Sequence, residues 1–168
     1  MERREITIGQ KKIKERIKLY THYTGEARRD AGLTERLAAR LQASDDDDTQ
    51  LCDHIENAAA EVSNIIAGVF THCTLEKATN PESGEQEHRF VVLTPALYPA
   101  EATEGLARTI ENYITRRTLQ EWLTQHKPEE AAIQGAEAQA AAQQLRRLLT
   151  QRTKPVATTP SGSKNINI

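Results

Sequence analysis

The apolar positions of residues 48–70, DTQLCDHIENAAAEVSNIIAGVF, are Leu51, Cys52, Ile55, Ala58, Ala59, Val62, Ile65, Ile66, Val69 and Phe70. Steps of one, three and four between them are the period of one helix face, sustained for about six turns. The stripe is too apolar to sit in water, so the rest of the chain is expected to pack around this helix. Four aspartates at 45–48 precede it, where an N-cap and negative charge are both favoured. Gly68 loosens its far end.

The remaining pattern is read in chain order. Residues 5–9, EITIG, alternate Ile6 and Ile8 with polar positions and predict a short strand ended by Gly9. A basic amphipathic helix follows over 10–24. Its apolar face is Ile13, Ile17 and Tyr20, and Thr24-Gly25 breaks it. Leu33, Leu37 and Leu41 predict a second, short helix. Residues 74–89 read as a polar loop whose Asn-Pro-Glu-Ser-Gly run is turn chemistry. Phe90, Val91, Val92 and Leu93 are the best strand, able to pair with 5–9 or with a neighbouring subunit. A helix over 99–124 starts near Pro99 and carries Leu106, Ile110, Tyr113 and Ile114; Leu119, Trp122 and Leu123 continue its stripe. Pro128 suits the first position of a last helix reaching about Arg152. Ala132, Ala136, Ala140, Leu145, Leu148 and Leu149 are expected to face inward there.

Together these elements predict a mainly α fold, a helical bundle around the long central helix 48–70 with one or two short β-strands. Residues 1–152 form a single helical domain. An extended C-terminal tail, 153–168, has the composition of a linker that cannot fold alone. Its last residues, Asn165-Ile166-Asn167-Ile168, alternate and suit addition to a partner's sheet edge.

Composition thins the expected core. Only 38% of the 168 residues are hydrophobic and 4% aromatic, so part of the stability is expected to come from neighbouring molecules. The net charge of -2 gives no global attraction to nucleic acid or anionic membrane. The charge is unevenly placed, however: 11 basic and 6 acidic residues over 1–41, against 2 basic and 11 acidic over 42–90. A positive end and a negative middle suit head-to-tail contacts between subunits. No run approaches the ~20 apolar residues of a membrane span, and MERREITIG has no signal-peptide core.

Candidate chemistry narrows rather than widens the picture. Cys52 and His54 with His72 and Cys73 are the residue types of a zinc site. They sit at opposite ends of one predicted helix, and Cys52 and His54 diverge around it, so four convergent ligands are not expected. The two cysteines, roughly 30 Å apart along a continuous helix, are expected to be free, mostly buried thiols in a reducing compartment. The aspartates at 45–48 lack the ligand spacing of a calcium loop. Neither a nucleophile motif nor a phosphate loop is present. No catalytic, cofactor or metal residues are assigned, and the chain is expected not to be an enzyme. One rival to a structural role is a small helix-turn-helix-like DNA-binding or regulatory protein using residues 10–42. There Lys11, Lys12, Lys14 and Lys18 would meet phosphate, and the second helix offers Arg36 and Arg40.

Three segments carry a resemblance: the acidic turn and long helix DDDDTQLCDHIENAAAEVSNIIAGVF, the strand and Pro-flanked helix FVVLTPALYPAEATEGLARTIENYITRRTLQEWL, and the Ala-rich helix AEAQAAAQQLRRLLTQR. Over residues 5–152 the chain resembles the head–tail connector (head-completion, or adaptor) proteins of tailed bacteriophages. Through KLYTHYTGEARRD it is also similar to proteins from phages and prophages of gut Bacteroides-type bacteria. The loop 74–89 and the tail depart from the compact members. The resemblance implies a virion structural protein of the neck, made in the host bacterial cytoplasm. It implies a homo-oligomeric ring, often of twelve subunits, that joins portal protein to tail or stopper proteins and surrounds passing double-stranded DNA, with no membrane partner.

Overall fold

The computed structural model describes residues 1–30, 42–44, 47–70, 72–96, 98–99, 101–125 and 127–152, with the backbone alone for 25–30. The element order is β1 (Glu2–Gly9), α1 (Gln10–Asp30), α2 (Asp48–Ala67), β2 (Cys73–Thr79), β3 (Gln86–Thr94), α3 (Ala102–Thr124) and α4 (Pro128–Leu149). The fold is mainly helical, with one three-stranded antiparallel sheet in the order β1-β3-β2. The expected helix at Leu33, Leu37 and Leu41 and the tail 153–168 lie outside the described residues.

The sheet is larger than the sequence pattern predicts. Residues 5–9 do pair with the Phe90 strand, but β1 and β3 run in register from Glu2↔Thr94 to Gly9↔Glu87. The expected loop 74–89 is instead mostly a β-hairpin, with β2 pairing β3 from Cys73↔Val92 to Thr79↔Gln86. Its connection uses the predicted turn residues. The Asn80 side-chain oxygen accepts the Glu82 and Ser83 N–H groups, and Gly84 takes φ +69 while its N–H reaches the Asn80 carbonyl. That left-handed backbone is the conformation glycine adopts without a Cβ penalty. β2 escaped the pattern because it is an outer strand: Cys73 and Leu75 pack half-buried against the core, while Thr74, Glu76, Lys77 and Thr79 are exposed. Ile6, Ile8, Phe90 and Val92 carry the buried, helix-facing side of the sheet.

The helices also shift from expectation. α1 continues through Gly25 to Asp30. A helical glycine costs about 1 kcal/mol, which is not enough to stop a helix. α2 buries Leu51, Ile55, Ala58, Ala59, Val62 and Ile66, as its periodicity requires. It ends at Ala67 rather than 70, where the last turn tightens and the Val69 N–H reaches the Ile66 carbonyl. Phe70 then packs edge-on against Tyr98, ring centroids 5.5 Å apart. Asp47 stands at the N-cap position without a side-chain cap bond, because its carboxylate turns back to the Ser44 N–H and hydroxyl, both at 2.8 Å. α3 starts at Ala102, three residues later than Pro99, with the Ala102 N–H on the Pro99 carbonyl.

The centre is shared between two helices. α2 packs against α1, α3, α4, β2 and β3, while α3 packs against α1, α2, α4 and β1. α3 is buried around most of its circumference, from Ala102 and Leu106 through Thr109, Ile110, Tyr113, Ile114, Thr115, Thr118 and Leu119 to Trp122 and Leu123. α4 begins with Pro128 in its first turn, followed by Glu129 and Glu130. Its inward face is Ala131, Gln134, Ala138, Ala141, Ala142, Leu145 and Leu149. The expected Ala132, Ala136 and Ala140 are exposed. Alanine lies on every side of this helix and cannot set the phase. Counting back from Leu149 and Leu145 in steps of three and four does.

Candidate functional site

A cleft of about 620 Å³ opens between α1, the start of α2 and the hairpin, lined by Gln10, Lys11, Lys14, Lys18, Asp48 and Cys52 among others. The basic residues predicted to meet phosphate sit here and on the adjoining face, and each holds a carboxylate of the same chain. Lys14 and Lys18 reach Asp48 at 2.6 and 3.3 Å. Lys11 reaches Glu85 at 2.8 Å, and Lys12 reaches Glu111 at 3.0 Å. Burial disfavours the Lys14 ammonium, but Asp48 and the Cys52 sulfur outweigh it and hold its pKa above the ordinary lysine value. Lys14 in turn lowers Asp48, against the smaller effect of burial. Sequence reasoning missed these pairs because their partners lie 30 or more residues away. Arg36 and Arg40 lie outside the described residues.

The sulfur and imidazole groups are brought to separate places. Cys52 donates to the Gln10 side-chain oxygen at 3.9 Å, and Gln10 meets the Nε2 of His88 at 2.9 Å. His88 is 1% exposed, and its Nδ1 has no partner among the described residues. Burial pushes its pKa down, so it is held neutral. Gln10 therefore takes the thiol's hydrogen bond, and no thiol–imidazole pair forms. His54 Nδ1 meets Glu121 at 2.6 Å, His72 lies 3.4 Å from the Thr74 hydroxyl, and the Ser63 hydroxyl donates to Cys73 at 3.6 Å. Both cysteines are free and half-buried. Among the described residues no three His, Cys, Asp or Glu side chains converge as metal ligands. Asp45 and Asp46 lie outside them.

A polar seam joins α2 to α3. Arg117 grips Glu61 with two donors, Nε at 3.0 Å and Nη2 at 2.9 Å, and the Tyr113 hydroxyl donates to the same carboxylate at 2.7 Å. Burial alone would raise the Glu61 pKa; Arg117 and Tyr113 outweigh it and hold it below the ordinary glutamate value. Burial, and then Glu61, push the Tyr113 phenol up. The seam is an ion pair that fixes two helices and leaves no free acid or base.

The surfaces left open are backbone edges. β1 and β2 are the two outer strands, one on each side of β3, and no further strand pairs with either among the described residues. β2 keeps seven residues in unbroken register with β3, without a bulge or a proline to blunt its outer edge. No helix among the described residues is long and apolar enough to cross a membrane. No family model matches the chain, and no curated protein or solved structure matches it.

Proposed function

We propose that this chain is a non-enzymatic structural subunit of a tailed-phage neck, a head–tail connector or adaptor. It assembles as a ring that joins portal protein to tail or stopper proteins and lines the DNA passage of the virion. The observation that carries this beyond the sequence resemblance is the pair of different outer strands. A ring needs a heterologous contact, in which each subunit offers one surface to the neighbour on its left and another to the neighbour on its right. β1 and β2 supply two such edges on opposite sides of one sheet. In this assignment α2 lies along the bundle axis, and the tail 153–168 extends to a partner ring.

The rival DNA-binding role has no comparable support. Phosphate contact by Lys11, Lys12, Lys14 or Lys18 has to displace Glu85, Glu111 or Asp48. Two experiments separate the roles. Removal of residues 153–168 is expected to leave the helical circular dichroism intact and to abolish attachment to the partner ring; loss of folding would count against a docking tail. Duplex DNA binding that falls steeply with salt would transfer support to the DNA reader.

A further inference from the structure

The side of α4 turned directly away from the core is unusual for a surface helix. Glu129, Ile133, Ala136, Ala140, Gln143 and Arg147 are all exposed, Ile133 at 56%. Their spacing of four, three, four, three and four is the seam of a coiled coil, and at 3.6 residues per turn they form one narrow stripe. Between its two ends the stripe carries no charge. Glu129 and Arg147 make no ion pair among the described residues, unlike Glu137, which holds Arg116 at 2.9 Å on the flank of the same helix.

The stripe is opposite in charge at its two ends and small at its middle. Laid antiparallel on a second α4, with the two-fold axis beside residue 138, Ala136 meets Ala140 of the other copy. Ile133 then meets Gln143, and Glu129 meets Arg147. The small pair at the middle permits the closest helix approach, toward the lower end of the 8–10 Å interaxial range. Each acidic end lies against a basic end, twice over by symmetry. A parallel pairing would set Glu129 on Glu129 and Arg147 on Arg147. We infer that the outer face of α4 is a self-complementary docking surface for a second copy of this chain, joined as an antiparallel two-fold pair.

The helix is roughly 33 Å long at 1.5 Å per residue, and one helix face of that length buries less than the ~800 Å² per partner of a standard interface. The pair is therefore expected to be concentration-dependent in the micromolar range. It does not rest on the ring assignment: a dimer of the isolated chain can form without a ring, and a ring closed through the sheet edges can form without the dimer.

Sedimentation velocity of the full chain across micromolar concentrations tests it. The expected result is a reversible monomer–dimer equilibrium. Ile133→Gln should weaken it at least about tenfold. Glu129→Arg alone and Arg147→Glu alone should shift it to monomer, and the two together should restore the dimer. The charge reversals oppose the helix macrodipole, so circular dichroism accompanies them; Ile133→Gln leaves the dipole untouched. A full-chain monomer throughout overturns the proposal, even if removing residues 153–168 then releases a dimer. So does a dimer indifferent to Ile133→Gln, or folded charge variants whose combination restores nothing.

Discussion

Helices α3 and α4 run along each other and are nearly equal in length, 23 and 22 residues, yet they are enclosed differently. α3 meets α1, α2, α4 and β1, and its charged side chains at 111, 116 and 117 find partners inside the chain. Arg117 holds Glu61, Arg116 takes the Gln134 side-chain oxygen, and Glu111 accepts Lys12 and Arg16. α4 gives one face to the core and keeps the opposite face uncharged between Glu129 and Arg147, and uncovered among the described residues. The enclosed helix explains how the chain holds together. The half-covered helix, with the open edges of β1 and β2, is where the proposed contacts with other molecules fall. The centres of protein interfaces carry less charge than the rest of the surface.

The contrast can be broken most severely from the enclosed side. Leu123 is fully buried, and Leu123→Ala should destabilise by about 2–5 kcal/mol in a denaturant titration, through lost burial and a residual cavity. Glu61→Gln comes next. It leaves the half-buried Arg117 with Glu121, at 3.3 Å, as its remaining carboxylate, and a cost of about 1–2 kcal/mol is expected after allowing for solvent screening.

The same pair predicts an acid response. The Glu61 pKa is lowered in the folded state, so its stabilisation is fully present above the ordinary value of 4.5 and is lost as pH falls through the lowered one. In Glu61→Gln this part of the acid slope should disappear. His88 acts in the next window up. Its folded pKa lies below the ordinary 6.5, so the unfolded chain binds more protons between the two values. Stability should decline as pH drops from 6.5 toward the lowered value and level off beneath it. Thermal unfolding of His88→Gln should lack that decline; an unchanged profile would remove His88 as its source.

The smallest expected effects fall on the open side. Ile133→Gln should change unfolding free energy by no more than about 0.5 kcal/mol, while altering self-association. A large loss of stability there would mean that the outer face of α4 is not external.

The sequence pattern found the elements whose chemistry is local. The stripe of α2, the proline that opens α4 and the turn at Asn80–Gly84 are each specified by residues a few positions apart. It missed what depends on distant partners. β2 has one semi-buried row, Cys73 and Leu75, and only pairing with β3 makes it a strand. The phase of α4 is invisible in a run of alanines until Leu145 and Leu149 fix it against α3. The pairing of Lys14 and Lys18 with Asp48 joins segments 30 residues apart or more, so a helix that reads as basic turns out largely neutralised. The resemblance to phage connectors rested on helix and composition patterns, which do not specify edges. The second outer strand, β2, became visible only in the fold.

Mass in solution, measured by light scattering for the full chain alone and mixed with candidate portal and tail proteins, tests the connector assignment most directly. The assignment predicts a closed ring, or a small species that enters a ring-sized complex when portal protein is added. A chain that keeps its own mass beside every portal and tail protein, and instead shifts on adding duplex DNA, would contradict it.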